Sequence, residues 1–182
     1  LACSLNSTNR KTLLVDADPR QPVIHRLFQI KNEVGFTEVL MGILALSHAL
    51  QVMPSGLTVL TSGSLLPDPQ KLLGSEKVGR VLSEMKKIFD FIILDSPPVL
   101  SVSDTVVFSS YVDGIILVLK YGEVTEKEAV QAKDRLAIAN SKIVGCVLNY
   151  FDDALRMDYH PYVMRYATCQ IQTTEEDRKL VS

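Results

Sequence analysis

The chain has 182 residues, 47% of them apolar and 22% charged, with a net charge of −2. That length supports one domain with a proper core, and the near-neutral charge excludes a nonspecific nucleic-acid footprint. No apolar run approaches the ~20 residues of a membrane span, no signal peptide opens the chain, and Cys3, Cys146 and Cys169 are too scattered for a disulfide framework, which fits a reducing cytosol.

Leu1 opens a helix-like Leu-Ala-Cys-Ser-Leu run already under way, so a fragment is expected, with its true N-terminus upstream. Residues 12–15 are a short apolar, β-branched run, suited to a strand covered on both faces. It ends in Asp16-Ala17-Asp18-Pro19-Arg20. In an open parallel sheet, ligands bind beyond the carboxyl ends of strands. Two acids one residue apart there can hold Mg²⁺, orient its waters or take a proton, and Arg20 adds a bidentate phosphate or carboxylate ligand. A strand followed by a polar turn is the other reading of the same residues. Pro22 suits the first turn of a short helix over 21–28. Short helices over 35–40 and 43–50 follow, broken at Gly42, then a brief strand over 57–61 and a Gly/Pro/Ser loop over 62–69. An amphipathic helix is predicted over 75–87, capped by Ser75, with Val78, Leu82 and Met85 as its buried stripe.

Residues 91–94 form a second strong strand closed by Asp95, the form of a Walker B strand, whose acid holds Mg²⁺ directly or through water. Asp16, Asp18 and Asp95 then share one rim, where three carboxylates repel unless a cation joins them, which favours a metal–nucleotide site. Ser96-Pro97-Pro98 reads equally as a rigid loop facing a γ-phosphate or as a plain strand terminator. A helix over 103–111, a strand over 114–119, a helix over 125–140 and a last strand over 143–148 complete the pattern. Asn149, at the last strand's end, can bond an adenine edge or merely sit in a turn. Alternating strands and helices imply right-handed crossovers and a parallel sheet covered on both faces. From Asp152 the pattern gives way to a polar tail holding Tyr159, Tyr162 and Tyr166, half of the six tyrosines. They read as phosphoacceptors, an interface or chance. His25, His48 and His160 are isolated, and surface or helix positions are expected for them rather than ligand roles.

Leu13-Leu14-Val15-Asp16-Ala17-Asp18-Pro19-Arg20 resembles the Walker A′ motif of bacterial tyrosine kinases of the capsular exopolysaccharide family. The likeness continues through Pro22, His25-Arg26-Leu27-Phe28, Asn32-Glu33, Gly35-Phe36-Thr37-Glu38-Val39-Leu40 and the loop from Ser62 to Pro69. It extends to Ile92-Ile93-Leu94-Asp95-Ser96-Pro97-Pro98-Val99, Val112-Asp113-Gly114 and Gly145-Cys146-Val147-Leu148-Asn149.

The resemblance implies an α/β, three-layer P-loop NTPase-like sandwich with a mostly parallel sheet and helices on both faces. It implies a kinase domain over 1–152 and a flexible tyrosine tail over 153–182. It implies ATP and Mg²⁺ as cofactors, and trans-autophosphorylation of Tyr159, Tyr162 and Tyr166 between subunits of a homo-oligomeric ring. A membrane polysaccharide co-polymerase activator, fused or separate, and a cognate tyrosine phosphatase would be partners, with no nucleic acid. The place would be the cytoplasm, at the inner face of the membrane. Carried over to this chain, Asp16 would be a base or a Mg²⁺-water ligand, Asp18 and Asp95 would serve the metal, Arg20 would order the site or a subunit contact, and Asn149 would touch the nucleotide.

A Gly-rich Walker A loop with Lys and Ser/Thr is absent from these 182 residues, so the fragment by itself is expected neither to bind ATP well nor to phosphorylate. Asp-x-Asp-Pro also resembles ParA/MinD-type partitioning ATPases, the alternative reading. The polar, acidic end of the tail, Thr173-Thr174-Glu175-Glu176-Asp177-Arg178-Lys179, speaks against the basic patch or membrane helix such a switch would need. A catalytically dead interaction subunit is a third reading, and it requires Leu1 to lie near the true start.

Overall fold

The computed structural model describes residues 1–65, 69–73, 76–102, 104–139 and 141–150. The elements begin with α1 (Ala2–Asn6), β1 (Thr12–Asp16), α2 (Ile24–Leu27), α3 (Phe36–Met41), α4 (Leu46–Ala49), β2 (Gln51–Val52) and β3 (Thr58–Leu60). They continue with α5 (Pro69–Leu73), α6 (Lys77–Met85), β4 (Phe91–Asp95), α7 (Asp104–Ser109), β5 (Ile115–Lys120), α8 (Glu126–Ile138) and β6 (Ile143–Asn149). The described residues fall within one compact unit, Leu1–Phe151.

Four strands make a sheet in the order β2-β3-β1-β4. β1 runs parallel to both β3 and β4, and only the two-residue β2 is antiparallel. Alternation along β1 sends its side chains into two cores, one on each face of the sheet. Leu13 and Val15 join Phe36, Val39 and Leu40 of α3, Leu46 and Ala49 of α4, Leu73 of α5 and the α6 stripe. Leu14 turns the other way, to Ala2 of α1, Ile24 of α2, Leu57 and Val59. Helices therefore cover both faces, as a mostly parallel sheet requires.

The expected single sheet comes as two, because β5 and β6 pair in parallel only with each other. They form a third core with α8 through Ile115, Leu117, Ile143, Ala132 and Leu136. Among the described residues no strand pairs with the edge of β4 that faces away from β1. Phe91 is accordingly 39% exposed, although its run reads as that of an interior strand.

Local chemistry explains the helix limits. α3 stops at Gly42, whose φ of 76° is left-handed. Residues 43–45 are not helical, so α4 is shorter than its apolar pattern. α8 begins at a capping box, in which Thr125 accepts the Glu128 N–H and Glu128 accepts the Thr125 N–H. The amphipathic α6 starts at Lys77 rather than 75, and the proposed cap Ser75 lies outside the described residues. The sequence pattern missed β2 and α5. Two residues leave no periodicity to read, and α5 opens at Pro69, where a loop was expected to end.

Candidate functional site

The site forms where three adjacent strands end together. β1 and β4 are in register with Asp16 opposite Asp95, and Val15 lies opposite Leu60 of β3. Strand ends carrying Thr61, Asp16 and Asp95 therefore stand in a row. The Ala17 N–H donates to the Asp95 carbonyl (2.8 Å) and locks the β1–β4 end.

Asp16 is fully buried. Its Oδ2 accepts the N–H groups of Val23 (3.1 Å) and Ile24 (3.0 Å), and its Oδ1 accepts that of Asp18 (3.3 Å). One carboxylate thus folds the segment after β1 back onto the strand end and seats the start of α2. Burial pushes the Asp16 carboxyl above the usual aspartate range; the amides of Ile24, Asp18 and Val23 oppose that and the charge of Asp18 reinforces it. Asp18 is half-buried and its Oδ1 accepts the N–H groups of Arg20 (2.9 Å) and Gln21 (3.0 Å), an Asx-type turn. Arg20 is exposed beside it.

Asp95 is exposed at the carboxyl end of β4. Surrounding protein atoms still cost its charged form hydration, so burial raises its carboxyl first, and the charges of Asp16 and Asp18 raise it further. The Ser96-Pro97-Pro98 turn is tied down: the Thr105 hydroxyl donates to the Pro97 carbonyl (2.6 Å), and the Pro98 carbonyl accepts the Ser101 N–H (3.0 Å).

The three acids are neighbours, but not three equal ligands on one open rim. Asp16 lies beneath, with both oxygens engaged, and Asp18 and Asp95 face outward. Among the described residues no group of three His, Cys, Asp or Glu side chains is close enough to hold a metal by itself. That donor set fits Mg²⁺ brought in with phosphates, because Mg²⁺ usually takes one or two carboxylates and fills its octahedron with water and phosphate oxygens.

Asn149 stands at the carboxyl end of β6, exposed, its Oδ1 accepting the Tyr150 N–H (3.0 Å). It belongs to the second sheet, not to the one that carries Asp16 and Asp95. Tyr159, Tyr162 and Tyr166 lie outside the described residues. His25 and His48 sit on α2 and α4, and Cys3 and Cys146 are free thiols.

Sequence reading missed Glu38 and Asn32 as organising groups. Glu38 is buried, with its Oε2 accepting the Gly35 N–H (2.7 Å) and its Oε1 the Ser64 N–H (3.2 Å). Burial by itself would raise this carboxyl, but bonds from Ser64 and Gly35 outweigh it and hold Glu38 below its usual range. The Asn32 side chain grips Gly63 at both ends, accepting its N–H (2.8 Å) and donating to its carbonyl (3.0 Å). The available signal was a glutamate at the third position of a helix opening on glycine, half of a capping box.

Residues 1–125 match the family described as AAA domain. Tyrosine-protein kinase YwqD of Bacillus subtilis is 36% identical over 150 residues, 82% of this chain and 63% of that protein. Tyrosine-protein kinase CpsD of Streptococcus pneumoniae is 35% identical over 154 residues, 84% of this chain and 68% of that protein. The kinase domain of the Escherichia coli tyrosine kinase ETK superposes with a TM-score of 0.79 at 35% identity, over 82% of this chain and 59% of that one. The chain thus spans just under two thirds of the Bacillus relative.

Proposed function

The chain belongs to the bacterial tyrosine-protein kinases, which carry an AAA-type P-loop domain, and from that premise we propose that it is part of an ATP-dependent protein-tyrosine autokinase regulating capsular or exopolysaccharide synthesis and export. The observation that carries the reading is the in-register pairing of Asp16 with Asp95, which brings Asp18 near enough for its charge to act on the Asp95 carboxyl.

In this reading Asp18 and Asp95 hold Mg²⁺·ATP. The metal, when bound, neutralises charge on the transferring phosphoryl group. Asp16 holds residues 17–24 in place. Its raised carboxyl is also the kind that suits a base for the acceptor hydroxyl, provided the Val23 and Ile24 amides release it. Arg20 orders the site or a subunit contact, and Asn149 meets the nucleotide base. Tyr159, Tyr162 and Tyr166, in a tail over 153–182, receive phosphate in trans from a neighbouring subunit of a ring. A membrane-embedded polysaccharide co-polymerase activates the ring at the inner face of the membrane, and a phosphatase resets it. Among the described residues no helix is long and apolar enough to cross a membrane; in this reading membrane attachment comes through the activator or a fused domain. Residues 1–182 contain no Gly-rich loop with its Lys, and on their own they would transfer phosphate poorly.

The test is to incubate the full-length protein with Mg·ATP and map phosphate by mass spectrometry, with Asp95→Asn as control. Phosphate on Tyr159, Tyr162 or Tyr166 that disappears in the control supports the kinase. ATP hydrolysis without phosphotyrosine would move the protein to the ParA/MinD-type switches.

A further inference from the structure

The segment after Asp95 is tied to two helices further along the chain. Val99 is buried and packs with Ala132 and Leu136 of α8. Arg135, half-buried on α8, donates from Nη1 to the Leu100 carbonyl (2.9 Å). Thr105 of α7 donates its hydroxyl to the Pro97 carbonyl (2.6 Å), and Pro97 is itself buried. At the strand end, the Asp95 carbonyl accepts the Ala17 N–H and the β1–β4 ladder holds the backbone. Residues 95–100 therefore run between anchors on β1, α7 and α8.

Asp16 and Asp95 are placed by different means. Asp16 is fixed through its own oxygens, by three amides. Among the described residues no donor bonds the Asp95 carboxylate, so its position follows its backbone. A segment with two consecutive prolines has few free torsions, because each ring fixes its own φ and restricts the residue before it. A displacement at Pro97 or Leu100 is then passed back toward Asp95 instead of being absorbed between them. A guanidinium bond is charge-assisted and stronger than a neutral one, and Arg135 directs it at a backbone oxygen 35 residues away. We propose that Arg135 and Thr105 are positioning residues for Asp95, acting through the backbone of residues 97–100 to hold its carboxylate where it meets nucleotide-bound Mg²⁺. This rests on the kinase reading above, in which Asp95 is a metal ligand.

Arg135→Met keeps the apolar stem of the side chain and removes its donors. Thr105→Val keeps the shape and removes the hydroxyl. Binding of a fluorescent ATP analogue to the full-length protein is measured with Mg²⁺ and again in EDTA. In both variants the Mg²⁺-supported Kd should rise about 10-fold, the usual effect of losing a group that orients a metal ligand, while the Kd in EDTA shifts less than about 2-fold. Hydrogen exchange without nucleotide gives a second readout. The Ser101 and Val102 amides, which donate to the Pro98 carbonyl, should exchange about 10-fold faster in Arg135→Met while β1 keeps its wild-type protection. Thr105→Ser retains the hydroxyl and should bind as wild type does. Equal weakening with and without Mg²⁺, unchanged Kd values in folded variants, or Thr105→Ser as weak as Thr105→Val overturns the positioning role. If Arg135→Met fails to fold, the two Thr105 variants decide the outcome by themselves. Asp95→Asn separates this role from the reading beneath it. If Asp95→Asn leaves Mg²⁺-supported binding intact, the metal site of the kinase reading fails and the positioning role goes with it. If Asp95→Asn weakens that binding while Arg135→Met and Thr105→Val do not, the positioning role alone falls.

Discussion

Asp16 carries three backbone amides on one buried carboxylate. Asparagine at this position keeps one acceptor oxygen and turns an NH₂ toward amide donors. Asp16→Asn should destabilise the protein by about 2 kcal/mol, the usual consequence of leaving a buried donor unmade, measured by urea unfolding. Its pH dependence has a definite sign. Because burial raises the folded-state pKa, the native chain keeps a proton that the unfolded chain has already released. Stability from this group is therefore complete below the ordinary aspartate range and declines as pH rises toward the raised value. The deficit of Asp16→Asn should be larger at acidic pH than at neutral pH; a gap that widens as pH rises would contradict the assignment. Glu38 has the opposite sign. Its carboxyl is held low by Ser64 and Gly35 against the effect of burial, so its contribution is present above the ordinary glutamate range and is lost as pH falls through the lowered value.

At the scale of elements, two boundaries trace to short-range devices. The αL turn at Gly42 ends α3, and the Thr125–Glu128 box starts α8. Thr125→Ala removes the oxygen that accepts the Glu128 N–H and should cost about 1 kcal/mol, read as a lower urea midpoint with an unchanged slope. The paired ends of β1 and β4 depend on longer-range geometry. Asp16 and Asp95 lie 79 positions apart and meet only because two apolar runs adopt the same register.

For the whole molecule, β1 is the centre. It is flanked by β3 and β4, and Leu13 and Val15 are wholly buried. Its amides should exchange most slowly, at a rate set by global unfolding. Among the described residues no strand pairs with the outer edge of β4, and its side chains are only partly covered, so its outward amides, with those of the two-stranded β5–β6 sheet, should exchange faster. Equal protection of β1 and β6, measured by hydrogen exchange with mass spectrometry, would contradict this hierarchy.

The sequence by itself determined the alternation of strands and helices, the parallel sheet with two covered faces, and the acids at strand ends. Apolar periodicity and carboxyl-end chemistry are local signals, and they survive in a single chain. Tertiary structure alone decided that Asp16 sits beneath Asp18 and Asp95 rather than level with them, because its oxygens are taken by amides seven and eight residues away. It also decided that β5 and β6 stand in their own sheet, since pairing partners are not written in a strand's own pattern. The Asn32–Glu38 clamp was equally hidden. Both side chains act on a loop 26 to 31 residues further along, and only the packing of β3 against β1 brings that loop to the row of strand ends.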